Sequence, residues 1–155
     1  MIMVLRHLWI LAALAASPAV SAQTKASAAV PDTIKMDLAA TDAIRSVLDG
    51  AFDEGHIAML QALGHQQAVA STCSGFEIDP KAFSTEFDLI YDDSAGKPRS
   101  LDANQRAEVE RKATLALGMA FGAQIAISAN DHQAFCQTAN QERASAKATH
   151  LIWTK

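Results

Sequence analysis

The sequence predicts an all-α fold: a compact bundle of about four to five helices with one disulfide. Three observations predict it. Apolar and small residues recur at steps of three and four over long stretches, no alternating strand pattern of useful length appears, and two cysteines, Cys73 and Cys136, stand far apart in a chain that carries the marks of export. Half of the 155 residues are hydrophobic and 19% are charged. A domain near this size buries about two thirds of the surface its unfolded chain exposes, so helix faces alone can build the core.

Residues 1–22 read as a secretory signal. Arg6 and His7 form the charged front, Leu8 to Ala16 the apolar centre, and Val20-Ser21-Ala22 the small residues of a cleavage site before Gln23. The apolar centre is too short for a membrane helix, which needs about 20 apolar residues. No cysteine follows the cleavage region, so a lipid tether is not expected. Residues 23–36 read as a flexible polar leader and residues 37–155 as one helical domain.

The first long helical pattern opens at Asp37 or Asp42, either of which can cap free backbone N–H groups. Ile44, Val47, Leu48, Ala51, Phe52, Gly55, Ala58, Met59, Ala62 and Leu63 then form one continuous face, which implies one helix or two collinear pieces. Gly50 and Gly55 each cost about 1 kcal/mol relative to alanine inside a helix, so a bend is expected near them. Arg45 can reach Asp42 and Asp49 on the wet side.

Ser71 to Gly75 ends this helix and carries Cys73. Ile78-Asp79-Pro80-Lys81-Ala82-Phe83 places a capping carboxylate before a proline at the first helical position. Phe83, Phe87, Ile90 and Tyr91 continue as one face of a short aromatic helix, expected to be a lid on the core. Asp92 to Ser100 is a polar loop. Its paired acids lack the alternating ligands, sixth-position glycine and terminal glutamate of a calcium loop.

Asp102 and Gln105 can cap a second long helix, with Glu108 and Lys112 paired on its surface. From Leu115 to Ala129 the pattern is apolar almost all round, which predicts a buried helix. Gly118, Gly122 and Ala126 recur every four residues and predict a groove where another backbone approaches closely. Fifteen residues interrupted by Gln124 are too few to span a bilayer. Asn130-Asp131 makes a corner, and a last helix from about His132 to Thr149 turns Phe135, Cys136, Ala139 and Ala146 inward. Leu151-Ile152-Trp153 either closes the bottom of the core or forms an exposed apolar end.

A mild net charge of -4 with scattered basic residues excludes a nucleic-acid surface, which needs concentrated Lys and Arg. An even cysteine count in an exported chain predicts a Cys73–Cys136 bridge, closing a loop of about sixty residues and contributing roughly 4 kcal/mol in the chain-entropy model. No Cys-x-x-Cys tunes a thiolate, and no hydrolase elbow, zinc-protease helix, phosphate loop or dinucleotide fingerprint occurs. His132 and Cys136 have metal-ligand spacing that oxidation of the cysteine would remove. His56 and His65, nine apart, point to different sides of one helix. No catalytic residue, metal or cofactor is implied.

The order of Thr72-Cys73-Ser74-Gly75-Phe76, Asp79-Pro80-x-x-Phe83, an alanine-rich helix and Phe135-Cys136-x-x-Ala139 resembles small exported helical proteins of proteobacteria, over about residues 40 to 140. A fainter likeness, on Thr72-Cys73 with a following aromatic and a second cysteine in a helix, is to the HdeA-type periplasmic acid-stress chaperones. Either likeness implies helices joined by one disulfide. The expected function is a non-enzymatic periplasmic or secreted module that binds another protein or a small apolar ligand. Its candidate groove is lined by Gly118, Gly122 and Ala126 under a lid of Phe83, Phe87 and Tyr91. The alternatives are a stress chaperone that opens in acid, and an enzyme without a recognisable motif.

Overall fold

A computed structural model describes residues 31–48, 50–145 and 151–154. The expected signal and residues 23–30 of the expected leader lie outside them. The described residues form an all-α bundle of five α-helices with one short 3-10 turn: α1 (Asp32–Leu48), α2 (Glu54–Thr72), α3 (Pro80–Phe87), the turn Asp88–Tyr91, α4 (Ala103–Asn130) and α5 (His132–Ala144).

Helix α1 takes in Asp32–Met36, which the sequence pattern leaves in the leader. The Pro31 carbonyl accepts from the N–H groups of Ile34 and Lys35, and Lys35 pairs with Asp32 at 2.9 Å, so the first turn is held without a buried side chain. The long apolar stripe belongs to two helices, and they are not collinear. Gly50 takes a φ of 71°, a left-handed conformation that stops a helix, and Asp53 caps the next one. The chain folds back there: Gln61 donates to Thr41 at 2.6 Å, and Arg45 pairs with Glu54 at 2.8 Å. Arg45 also lies 3.9 Å from Asp42; its expected partner Asp49 is outside the described residues.

Helix α4 is the centre of the bundle, packed against α1, α2, α5 and the 3-10 turn. Both halves of its capping box form, Asp102 accepting from the Gln105 N–H and Gln105 from the Asp102 N–H. Glu108 pairs with Arg111 at 2.7 Å, and the Lys112 charge also favours its carboxylate, as the four-residue spacing predicts. The helix is 28 residues long, nearly twice the apolar run seen in the sequence, and meets the length and composition of a membrane-crossing helix, with 28% of that window buried. Val109, Ala113, Ala116 and Ala120 face inward. A substantial part of the run is exposed, and Leu115 keeps 48% of its surface. The expectation of a helix buried on every side is therefore corrected: an all-round apolar pattern marks what a helix can bury, and its neighbours here cover only one side.

A close helix approach lies at a glycine of α2, not at those of α4. A Cβ built on Gly64 of α2 would stand 2.6 Å from Ala120 Cβ and 2.8 Å from the Phe121 backbone nitrogen. Only glycine lets these two backbones meet. One residue along, a polar chain crosses the bundle. Asp37 accepts from the Gln124 amide at 3.0 Å, the Gln124 oxygen faces His65 Nδ1 at 3.0 Å, and His65 Nε2 faces Glu142 at 2.9 Å, joining α1, α4, α2 and α5. Both ring nitrogens of His65 are thus engaged across the bundle.

The core has two parts. One gathers Ile44, Leu48, Leu60, Leu63, Ile90 and the small face of α4; the other gathers Val69, Cys73, Phe76, Phe135, Ala139 and Trp153. The bridge Cys73–Cys136 forms at a Cα separation of 5.6 Å and ties the end of α2 to the start of α5. It fits an oxidising, extracytoplasmic compartment. Helix α5 ends at Ala144, and the expected continuation toward Thr149 falls largely outside the described residues. Ile152 and Trp153 close the core: the Ile152 N–H donates to the Gln66 side chain at 2.8 Å, Trp153 Nε1 to the Gln66 carbonyl at 2.9 Å, and Trp153 bridges Ile78. Of the two readings of this end, the exposed one is excluded.

Candidate functional site

The expected groove of Gly118, Gly122 and Ala126 under the aromatic lid does not form; Gly118 alone lines a shallow surface hollow, with Leu115 and Met119. Gly118, Gly122 and Ala126 are exposed, on the opposite side of α4 from Val109, Ala113 and Ala120, and a Cβ added to either glycine would meet no atom within 4 Å. A four-residue step keeps such positions on one face, but says nothing about which face turns inward. The aromatic lid does form, in another place. Phe83 and Phe87 stack at 5.9 Å and pack on the first core cluster. Tyr91 lies under the Arg106 guanidinium at 4.2 Å, and its hydroxyl donates to Glu110 at 3.4 Å. Burial, followed by Glu110, raises the Tyr91 pKa. These aromatics therefore wall the core between α2 and α4 and leave Gly118 and Gly122 uncovered.

The concavity with the chemistry of a binding site lies beside them, between α2 and the segment running from Glu86 to Gly96. It is a cleft of about 680 Å³, a size within the usual range of small-molecule sites. Its apolar lining is Met59, Ala62 and Leu63 from α2, with Leu89 from the 3-10 turn. The spacing of Gly55, His56, Met59, Ala62, Leu63 and Gln66 follows from the helical period: one side of α2 serves the cleft while Ile57, Leu60 and Ala68 serve the core.

The far wall is shaped by the polar loop. Asp93 accepts from the N–H groups of Ala95 and Lys97 at 2.8 and 3.0 Å, Gly96 turns with a φ of 70°, and Asp92 bridges Pro98. These acids thus form a turn. Among the described residues no three His, Cys, Asp or Glu side chains converge as a metal would require.

His56 fastens the loop to α2. Its Nδ1 lies 2.8 Å from Asp53 and its Nε2 3.1 Å from the Asp92 carbonyl, with Phe52 edge-on at 5.4 Å. Arg99 adds a second tie, donating to the carbonyls of Ala51 and Ile90 beneath Phe52. His65 points away into the cross-bundle chain, as the nine-residue spacing predicts. His132 rests 3.8 Å from the oxidised Sγ of Cys136, which offers no thiolate.

The rim is acidic: Asp53, Glu54, Glu86, Asp92 and Asp93 line the cleft, and no lysine or arginine does so among the described residues. The His56 backbone N–H donates to Asp53 and holds its pKa below the ordinary carboxylate value. The Arg45 hydrogen bond does the same for Glu54 and raises the Arg45 pKa in turn. A depressed folded-state pKa contributes stability that is present above the unfolded value, about 3.9 for Asp, and lost as pH falls through the folded value. Asp53→Asn keeps a capping oxygen and removes the titration. Its stability is expected to lie up to about 1 kcal/mol below that of the parent at pH 7 and to converge with it as pH falls through the folded Asp53 value; urea titrations across pH check this.

Sequence reasoning missed the cleft because its residues come from two stretches that look unrelated, an amphipathic helix and a loop read as mere connection. A signal was present. Ile57 and Leu60 lie off the main stripe of α2, which required that helix to be faced on two sides.

No protein-family model matches the chain, and no curated protein or solved structure is similar to it at a significant level.

Proposed function

We propose that this chain is a non-enzymatic helical module of the periplasm or the secreted fraction, exported by its first 22 residues, that binds a small ligand with an apolar part in the cleft between α2 and residues 86–96. The observation that carries the reading is the apolar lining of Met59, Ala62, Leu63 and Leu89 inside a cleft of about 680 Å³. Cleft walls of this kind bury most of a drug-sized molecule, with a few polar groups at the mouth to orient it. Asp53, Glu54, Asp93 and His56 are held by capping, ion-pair and loop contacts, an arrangement that favours a shaped receptor over a proton-transfer centre.

Ala62 is exposed on α2 and lines the cleft without entering the core. Ala62→Trp therefore fills the site while leaving the bundle intact. The purified protein is expected to increase the fluorescence of an apolar probe saturably, and Ala62→Trp to reduce that increase about tenfold or more at equal far-UV circular dichroism. Native mass spectrometry of the protein from an envelope extract is the companion measurement: a bare monomer, together with unchanged probe binding in the variant, would sink the reading.

A further inference from the structure

We propose that Cys136 is a thiol-exchange site: a low-molecular-weight thiol opens the Cys73–Cys136 bridge by attaching to Cys136 rather than to Cys73, and His132 assists it. This is independent of the cleft and of any ligand there.

The two ends of the bridge have the same chemistry and different surroundings. Cys73 keeps 5% of its surface and sits in the second part of the core among Val69, Phe76, Phe135 and Trp153. Cys136 is half-buried, one turn into α5 after the exposed residues His132, Gln133 and Ala134. A thiolate opens a disulfide by bonding to one sulfur and expelling the other, so access decides which sulfur it takes. Here the accessible end is Cys136.

The polar neighbours divide the same way. Both ring nitrogens of His132 lie 3.8 Å from Cys136 Sγ. Buried Ser128 faces His132 Nδ1 at 3.3 Å and steadies the ring against the end of α4. A protonated imidazole at that distance sets positive charge beside the sulfur to which an incoming thiolate brings negative charge. At the other end the neighbour is Thr72. Its hydroxyl donates to the Ala68 carbonyl at 2.8 Å, which leaves its oxygen, 3.7 Å from Cys73 Sγ, as an acceptor. An acceptor in apolar surroundings suits a neutral S–H and not a thiolate.

In the exchange a bond forms between the thiolate and Cys136 Sγ, and the bond between the two cysteines breaks. Its electron pair leaves on Cys73 Sγ, which takes a proton from solvent and rests as a thiol beside Thr72. The incoming thiol is oxidised to a mixed disulfide while Cys73 is reduced. The reverse step, attack of Cys73 on Cys136, expels the thiol and reseals the bridge.

The test is to incubate the purified oxidised protein with reduced glutathione under native conditions, quench early time points in acid, and map the adduct by peptide mass spectrometry. Glutathione is expected on Cys136 about tenfold or more over Cys73, and this preference is expected to collapse in urea, where burial no longer separates the two sulfurs. His132 is exposed, so its replacement leaves the core alone. His132→Gln is expected to slow adduct formation about threefold or more at equal circular dichroism, and His132→Lys, which returns a positive charge, to recover most of the rate.

Adducts shared equally between the two cysteines of the native protein, or found mainly on Cys73, overturn the proposal. So does a bridge that yields no adduct until the chain unfolds, which makes it a structural tie alone. A preference for Cys136 that persists in urea overturns the burial argument, and a His132→Gln variant that reacts as fast as the parent overturns the part assigned to His132.

Discussion

Replacing Cys73 by serine is expected to lower the melting temperature as far as replacing Cys136, with the double replacement no worse than either. The two sulfurs form one bond between residues 63 apart in sequence. Chain entropy puts the loss at about 4 kcal/mol. Native domains hold only about 5–15 kcal/mol in total, so the reduced protein should unfold far below the oxidised one. Thermal denaturation with and without reductant reads this directly, and the serine variants should be indifferent to reductant. Additive losses from the single variants would mean that the sulfurs contribute separately.

The second large effect is expected at Gly64. Alanine there would gain about 1 kcal/mol of helix propensity but press its Cβ to 2.6 Å from Ala120 and 2.8 Å from the backbone of Phe121. Overpacking of this kind costs about 1–3 kcal/mol, and leucine costs more because the helices must separate. Gly64→Leu should therefore lower the melting temperature by roughly ten degrees or more, at about 4 °C per kcal/mol for a domain of this size. Ala120→Gly removes one of the two obstacles and should restore part of the loss in Gly64→Ala. No restoration would show that the backbone at Phe121 sets the limit; an unperturbed Gly64→Leu would contradict the close approach itself.

Local chemistry was readable in the sequence wherever neighbours along the chain decide it. The Asp79-Pro80 start of α3 and the Asp102–Gln105 box opening α4 form as their residue types require. The pairing of Cys73 with Cys136 was readable because the chain has no third cysteine. What failed was choice of face. Gly118, Gly122 and Ala126 share a side of α4, but whether that side meets a helix or water depends on where α1, α2 and α5 settle. Gly64, without a glycine partner at helical spacing, gave no periodic signal, although a Cβ there would press against Ala120 and the Phe121 backbone. The cleft was hidden for the same reason: Leu89 and Ala62 meet only after the chain has folded.

The two-part core has a consequence for motion. The covalent tie sits in the part built from Val69, Cys73, Phe76 and Phe135, while α3, the 3-10 turn and the cleft belong to the other part, held by packing, His56 and Arg99. Proteins open in cooperative pieces of unequal stability. Here the piece without the cross-link is the one that carries the cleft. Amide hydrogens of residues 80–91 should exchange with solvent well before those around Cys73, and reduction of the disulfide should narrow that gap. The molecule is thus stapled at one end and held by noncovalent contacts at the other, so the cleft can loosen without the staple being undone.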